Sequence, residues 1–193
     1  MIAIIKYNAG NIASVKNAVE RLGYACTITD NEAEIRSAEK VIFPGVGEAS
    51  SAMEYLKERN LDAVIKSLRQ PVLGICLGLQ LMCRHSEEGN TDCLGIFDAS
   101  VKKFPPTDIV PHIGWNNLQN TGTPLFDGFS NDDTVYFVHS YFAEICEQTI
   151  ARCDYILPFS AAMQRDNFFA TQFHPEKSAG VGERMLKNFL QSF

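Results

Sequence analysis

Short apolar runs recur through the first half of the chain: Ile2 to Ile5, the β-prone Ala25 to Thr29, Lys40-Val41-Ile42-Phe43, and Val72-Leu73-Gly74-Ile75. The segments between them keep a different rhythm. Ile12, Val15, Val19 and Leu22 fall at helical spacing, as do Met53 and Leu56, and an apolar helix-like segment runs from Leu77 to Cys83. Strands alternating with helices predict an α/β fold, with a mostly parallel central sheet flanked by helices on both faces. The second half changes character. Pro105-Pro106, Pro111, Gly114, Gly122 and Pro124 punctuate it, and Thr134 to Val138, Thr149 to Cys153 and Phe168 to Phe173 read as strands, giving extra β elements. A last helix is predicted from Val181 to Phe193, after Gly180. With no internal repeat, low-complexity stretch or linker, residues 1–193 read as one domain.

Composition narrows the class. A chain of 193 residues can bury a substantial core, and 46% hydrophobic with 21% charged residues is ordinary for a globular protein. A formal charge of -6 argues against a nucleic-acid or anionic-membrane surface. No apolar run is long enough to span a bilayer, and Met1 to Lys6 reads as a strand rather than a secretory leader. The six cysteines show no C-x-x-C spacing, which weakens zinc and thioredoxin-like readings. Reduced thiols in the cytoplasm, with no metal and no cofactor, are the expectation.

One of those cysteines carries chemistry. In Gly74-Ile75-Cys76-Leu77-Gly78-Leu79-Gln80 an apolar strand run leads into a cysteine flanked by glycines, and a helix follows. That is the layout of a nucleophile elbow, with Cys in place of Ser. The N-terminus of the following helix favours thiolate. A buried structural cysteine at a strand end would share the pattern, so a base is required. Phe173-His174-Pro175-Glu176 offers one: if the segment is extended, His174 and Glu176 project from one face, and the carboxylate holds one imidazole nitrogen while the other meets the nucleophile. Pro175 favours that extension in the residue before it. Pro44-Gly45-Val46-Gly47 follows another strand, so backbone N–H groups near Val46, with that of Leu77, form a candidate oxyanion hole.

Together, Gly-Ile-Cys-Leu-Gly-Leu-Gln, Pro-Gly-Val-Gly and the late His-Pro-Glu resemble the class I, or triad, glutamine amidotransferases, along nearly the whole chain. Tyr136 to Tyr141, Pro111 to Asn116, Gly10-Asn11 and Gln172 to Ser178 resemble one branch of it, the glutaminase subunits of imidazole glycerol phosphate synthases in histidine biosynthesis. The resemblance implies a flavodoxin-like fold and a Cys76–His174–Glu176 triad that releases ammonia from glutamine through a γ-glutamyl thioester. It implies that Gly47, Gln80, Glu88, Ser140 and Tyr141 bind glutamine. A carboxylate such as Glu88 suits the ligand's α-ammonium, although Glu87-Glu88 lies in a polar stretch where charges are usually solvated.

The resemblance also implies a heterodimer. The partner is a (β/α)8-barrel cyclase that turns the ammonia and a phosphoribulosyl-formimino intermediate into imidazole glycerol phosphate and an aminoimidazole carboxamide ribotide. Asn11, Trp115, Tyr136 and Lys177 match positions at or near that interface, although a lone tryptophan could equally be core. Lys6, Asn8 and Ile113 depart from the branch's usual residues, near docking elements and away from the triad. Two other readings stay open: a triad amidotransferase serving another synthase or a surface-sugar pathway, and a non-enzymatic interaction protein on the same fold.

Overall fold

The computed structural model describes residues 1–119 and 121–193. Its first half alternates as the pattern predicts. Strand β1 (Ile2–Ile5) is followed by α1 (Ile12–Arg21), β2 (Cys26–Thr29), α2 (Glu32–Ser37), β3 (Lys40–Gly45), α3 (Ala49–Glu58) and α4 (Leu61–Ser67). Then come β4 (Val72–Cys76) and α5 (Leu77–Met82). Side-chain caps start two of the helices. Asn31 accepts from the N–H groups of Ala33 and Glu34, and Glu48 from those of Ser50 and Ser51, satisfying donors that a helix start leaves unpaired.

The second half supplies β5 (His85–Ser86), β6 (Thr91–Asp92), β7 (Ser100–Lys103), β8 (His112–Asn117), β9 (Thr134–His139) and β10 (Tyr141–Ala143). β11 (Thr149–Asp154), β12 (Pro158–Arg165), β13 (Phe168–Thr171) and α6 (Ala179–Ser192) complete it. The large sheet has the order β11-β12-β13-β4-β3-β1-β2. Its β13-β4-β3-β1-β2 part is parallel, and β12 and β11 extend it antiparallel. β10-β7-β5-β6 form a small sheet, and β8 pairs with β9 alone.

Both faces of the large sheet are buried, which is why its parallel strands read as continuous apolar runs. Ala3, Ile5, Val41, Phe43 and Val72 face α2, α3, α4 and α5, packing with Ile35, Leu56, Ile65 and Leu81. Ile2, Ile4, Ile42, Leu73 and Ile75 face α1 and α6, packing with Val15, Val19, Leu186 and Phe189. Each such large side chain contributes about 1.5–3 kcal/mol on burial. The last helix begins at Ala179, two residues ahead of the predicted start, and the strand predicted to Phe173 ends at Thr171. Among the described residues no helix is long and apolar enough to cross a membrane, and all six cysteines are free.

Candidate active site

Register brings the expected site residues to one end of the parallel strands. Gly45 pairs with Cys76 and Thr171 with Ile75, so the segments leaving β3, β4 and β13 start side by side at their carboxyl ends. Cys76 ends β4 with φ 53° and ψ -103°, a left-handed backbone rarely adopted by non-glycine residues, and α5 begins at the next residue. That turn holds the thiol at the tip of the elbow, 6% exposed. Leu77 is the first residue of α5, so its N–H lacks an intrahelical partner.

His174 follows β13 in an extended conformation, but Glu176 does not continue it. Pro175–Lys177 form a 3-10 turn, so the sequence expectation of an extended His-Pro-Glu is corrected. Proline's fixed φ suits the first position of a helical turn as well as an extended chain. The pairing survives through the turn. His174 Nδ1 lies 2.7 Å from Glu176 Oε1, with side-chain exposures of 1% and 0%. A carboxylate only accepts, so Nδ1 carries the proton and Nε2 points away from it; Nε2 is buried without a hydrogen bond. Burial opposes charge on this ring, yet the Cys76 sulfur and Glu176 outweigh it and raise the His174 pKa to about 10. The turn is closed by Ser178, whose hydroxyl donates to the His174 carbonyl at 2.7 Å, while His174 N–H donates to the Tyr136 carbonyl at 2.9 Å.

A cavity of about 270 Å³ opens beside the thiol. Val46, Gly47, Leu77, Gln80, Glu88, Ser140 and Tyr141, all expected at the site, line it with Cys76. Three residues that sequence reasoning did not assign, Pro111, Val138 and His139, complete the wall. Glu88 is half-buried rather than solvated, and one of its oxygens accepts from Ala49 N–H at 2.9 Å. Burial raises its carboxyl above the usual range against that hydrogen bond. The Val46 carbonyl accepts from Gly10 N–H at 3.0 Å, tying the loop after β3 to the loop after β1. Tyr7 was also missed. Its buried hydroxyl has no hydrogen bond and sits over Gly45, where an added Cβ would come within 1.9 Å of it.

The residues expected at a partner interface divide. Trp115 is 52% exposed and meets Tyr136 edge-on across the β8–β9 ladder at 5.9 Å, so the sole tryptophan is not core. Ile113 is 59% exposed, and Lys177 is exposed beside the Glu176 turn. Asn11 is half-buried instead, and its Nδ2 donates to Glu176 Oε1, which joins it to the His174–Glu176 pair. That link spans 165 positions of sequence, and nothing local announces it.

A buried histidine pair backs the cavity. His112 Nδ1 lies 3.1 Å from His139 Nε2, and the His112 ring stacks on Tyr155 with centroids 4.0 Å apart. Burial lowers His112 to about 4 and His139 to about 3, from an ordinary 6.5. The sign follows from linkage. Below pH 6.5 the unfolded chain takes up protons that the folded one refuses, so this stability is intact above 6.5 and drains away toward 4 and 3. Thermal unfolding is expected to show Tm falling steadily as pH drops from 6.5 toward 4, with a shallower fall in His112→Gln. A variant with the same slope would remove His112 from the account.

A strand-end thiol with a cavity beside it and a carboxylate-held imidazole are the parts that nucleophilic attack on an acyl carbon would need. The chain belongs to the class I glutamine amidotransferases, whose family description matches residues 3–193. Members of this family take the amide nitrogen of glutamine. Among its relatives is the imidazole glycerol phosphate synthase subunit HisH of Bacteroides thetaiotaomicron, 59% identical over 98% of both chains. The subunit of that name from Bacteroides fragilis is 60% identical, again over 98% of both. A solved glutamine amidotransferase shares the fold at 18% identity, with a TM-score of 0.77 over 99% of this chain and 98% of its own.

Proposed function

We propose that this chain is the glutaminase subunit of an imidazole glycerol phosphate synthase, working as one domain in the cytoplasm. The observation that carries the chemistry is the buried His174–Glu176 pair, electrostatically coupled to the Cys76 sulfur that lines the cavity. Glutamine enters that cavity, with Glu88 placed for its α-ammonium and Gly47, Ser140 and Tyr141 around it. The Cys76 thiolate attacks the side-chain amide carbon, and the N–H groups of Val46 and Leu77 receive the negative oxygen. His174, oriented by Glu176, passes its Nε2 proton to the departing nitrogen, so ammonia leaves and a γ-glutamyl thioester remains. Water then gives a proton to His174 and attacks the thioester. Glutamate departs, and the thiolate–imidazolium pair is restored.

Ammonia set free in water at neutral pH is mostly protonated and no longer nucleophilic, so the reading requires a partner that receives it directly. We assign that role to a (β/α)8-barrel cyclase, docking on the face that carries Trp115, Tyr136 and Lys177. Asn11, also expected at the interface, is half-buried and hydrogen-bonded to Glu176. An exposed Trp115 packed edge-on against a half-buried Tyr136 suits an interface anchor. The cyclase would join the ammonia to a phosphoribulosyl-formimino intermediate, yielding imidazole glycerol phosphate and an aminoimidazole carboxamide ribotide.

The test is glutamate release from glutamine by this chain alone, with the barrel cyclase, and with the cyclase plus its nucleotide substrate. On this reading partner and ligand together complete the oxyanion hole, so low release alone and a rise of at least about a hundredfold in the full assembly are expected, since one oxyanion-hole donor is worth about that much. Release that ignores cyclase and nucleotide would assign the ammonia to another acceptor.

A further inference from the structure

Hydrogen-bond direction through the buried wall of the cavity is set by one backbone atom. The Tyr141 carbonyl only accepts, and it is met by Gln80 Nε2 at 2.9 Å and His139 Nδ1 at 2.8 Å. Gln80 therefore presents its amino group there, and the second N–H of that group reaches Gln172 Oε1 at 3.1 Å. Gln172 is fully buried. With its oxygen held by Gln80, its amino group faces Cys76, Nε2 to Sγ 3.6 Å. Turning the Gln172 amide over would set two amino groups against each other and an oxygen against the sulfur. The same carbonyl fixes His139 as the Nδ1–H tautomer, so its Nε2 accepts from His112 Nδ1–H at 3.1 Å.

We infer that Gln172 is a catalytic residue, donating an N–H to the Cys76 sulfur to hold it as thiolate and aim it into the cavity, with Gln80 as its positioning residue. This rests on the reading of Cys76 as nucleophile. A neutral amide that donates to an anion makes a charge-assisted hydrogen bond, stronger to thiolate than to thiol or thioester. Gln172 also does what His174 cannot. The imidazole is without its Nε2 proton from the moment ammonia leaves until water attacks, whereas an amide never titrates, so Gln172 keeps a donor on the sulfur through every stage, including the thioester. Gln80 lines the cavity as expected of a glutamine-binding residue, but both of its N–H donors are committed to the wall. Only its Oε1 is left for a ligand.

The experiment is alkylation of Cys76 by iodoacetamide across pH, read by peptide mass spectrometry, in wild type, Gln172→Met and Gln172→Glu. The other five cysteines serve as internal controls. Methionine keeps the volume and removes the donor; glutamate, once ionised, only accepts. In Gln172→Met, Cys76 alkylation at pH 7 is expected to slow about ten- to a hundredfold, the range of a hydrogen bond to a charged group. The midpoint of its pH profile is expected to rise, and further in Gln172→Glu. Glutamine hydrolysis with the cyclase partner is expected to lose kcat with little change in KM. An unmoved midpoint with kcat within twofold of wild type overturns the inference. Should Gln172→Met fail to fold, Gln80→Met releases the same amide, and there too a fixed midpoint overturns it. Alkylation reads the sulfur without glutamine, so the result stands apart from whether Cys76 is the nucleophile.

Discussion

Cys76→Ala is expected to abolish glutamine hydrolysis, by at least about a thousandfold with the cyclase partner present, while leaving the fold intact. His174 cannot compensate. Its Nδ1 is tied to Glu176, and Nε2 is buried facing the elbow, so with sulfur gone nothing on the wall forms a thioester. Stability follows a separate logic. The side chain at 76 is small and the strained φ of 53° is set by the strand-to-helix turn, so alanine inherits the strain. A Tm within a few degrees of wild type is expected, and glutamine should still bind, since the cavity wall and Glu88 are untouched. Glutamate release by Cys76→Ala within tenfold of wild type would dismiss the triad.

How much of this was legible beforehand depended on whether the cause was local. Cys76 was legible because the elbow is written in consecutive residues: an apolar strand, flanking glycines, an apolar helix. The His174–Glu176 pair was legible as chemistry but not as geometry, because Pro175 fits an extended chain and a 3-10 turn equally. Strand β12 left no trace of period two, since Phe159-Ser160-Ala161-Ala162-Met163 are buried on both faces. Nothing in its alternation of small and large residues separates strand from helix.

Long-range partners were the hardest. Gln172 sits two residues before His174, a spacing that would put both on one side of an extended chain and so was a usable signal, although the backbone bends there. Its donor direction was not, because it comes from the Tyr141 carbonyl through Gln80. Asn11 sits with Glu176 only because α1 and the turn after β13 pack together. The exposure of Trp115 depends on β8 and β9 pairing apart from the large sheet, a topological fact that no single segment encodes.

Gly78→Ala is expected to damage both fold and activity, for a reason fixed by backbone rather than side chains. A Cβ at 78 would lie 1.9 Å from the Phe43 carbonyl oxygen and 3.1 Å from its carbon. Phe43 lies within β3, whose hydrogen bonds to β1 and β4 leave it little room to yield. The strain falls on α5, which must lift away from the sheet and carry Leu77 and Cys76 with it. Overpacking of this kind costs about 1–3 kcal/mol, more when the obstacle is main chain. For a chain of this length about 3 kcal/mol corresponds to a Tm lower by about 6–12 °C. Lifting α5 also moves the Leu77 N–H and the thiol away from the cavity, so kcat should fall more than stability alone explains. Gly180→Ala is the control. Gly180 lies in the first turn of α6, an added Cβ meets nothing within 4 Å, and alanine is the better helix former, so Tm should hold or rise. Equal Tm values for the two variants would mean that α5 can leave β3 without cost, and the close approach of helix to strand would no longer explain the second glycine of the elbow.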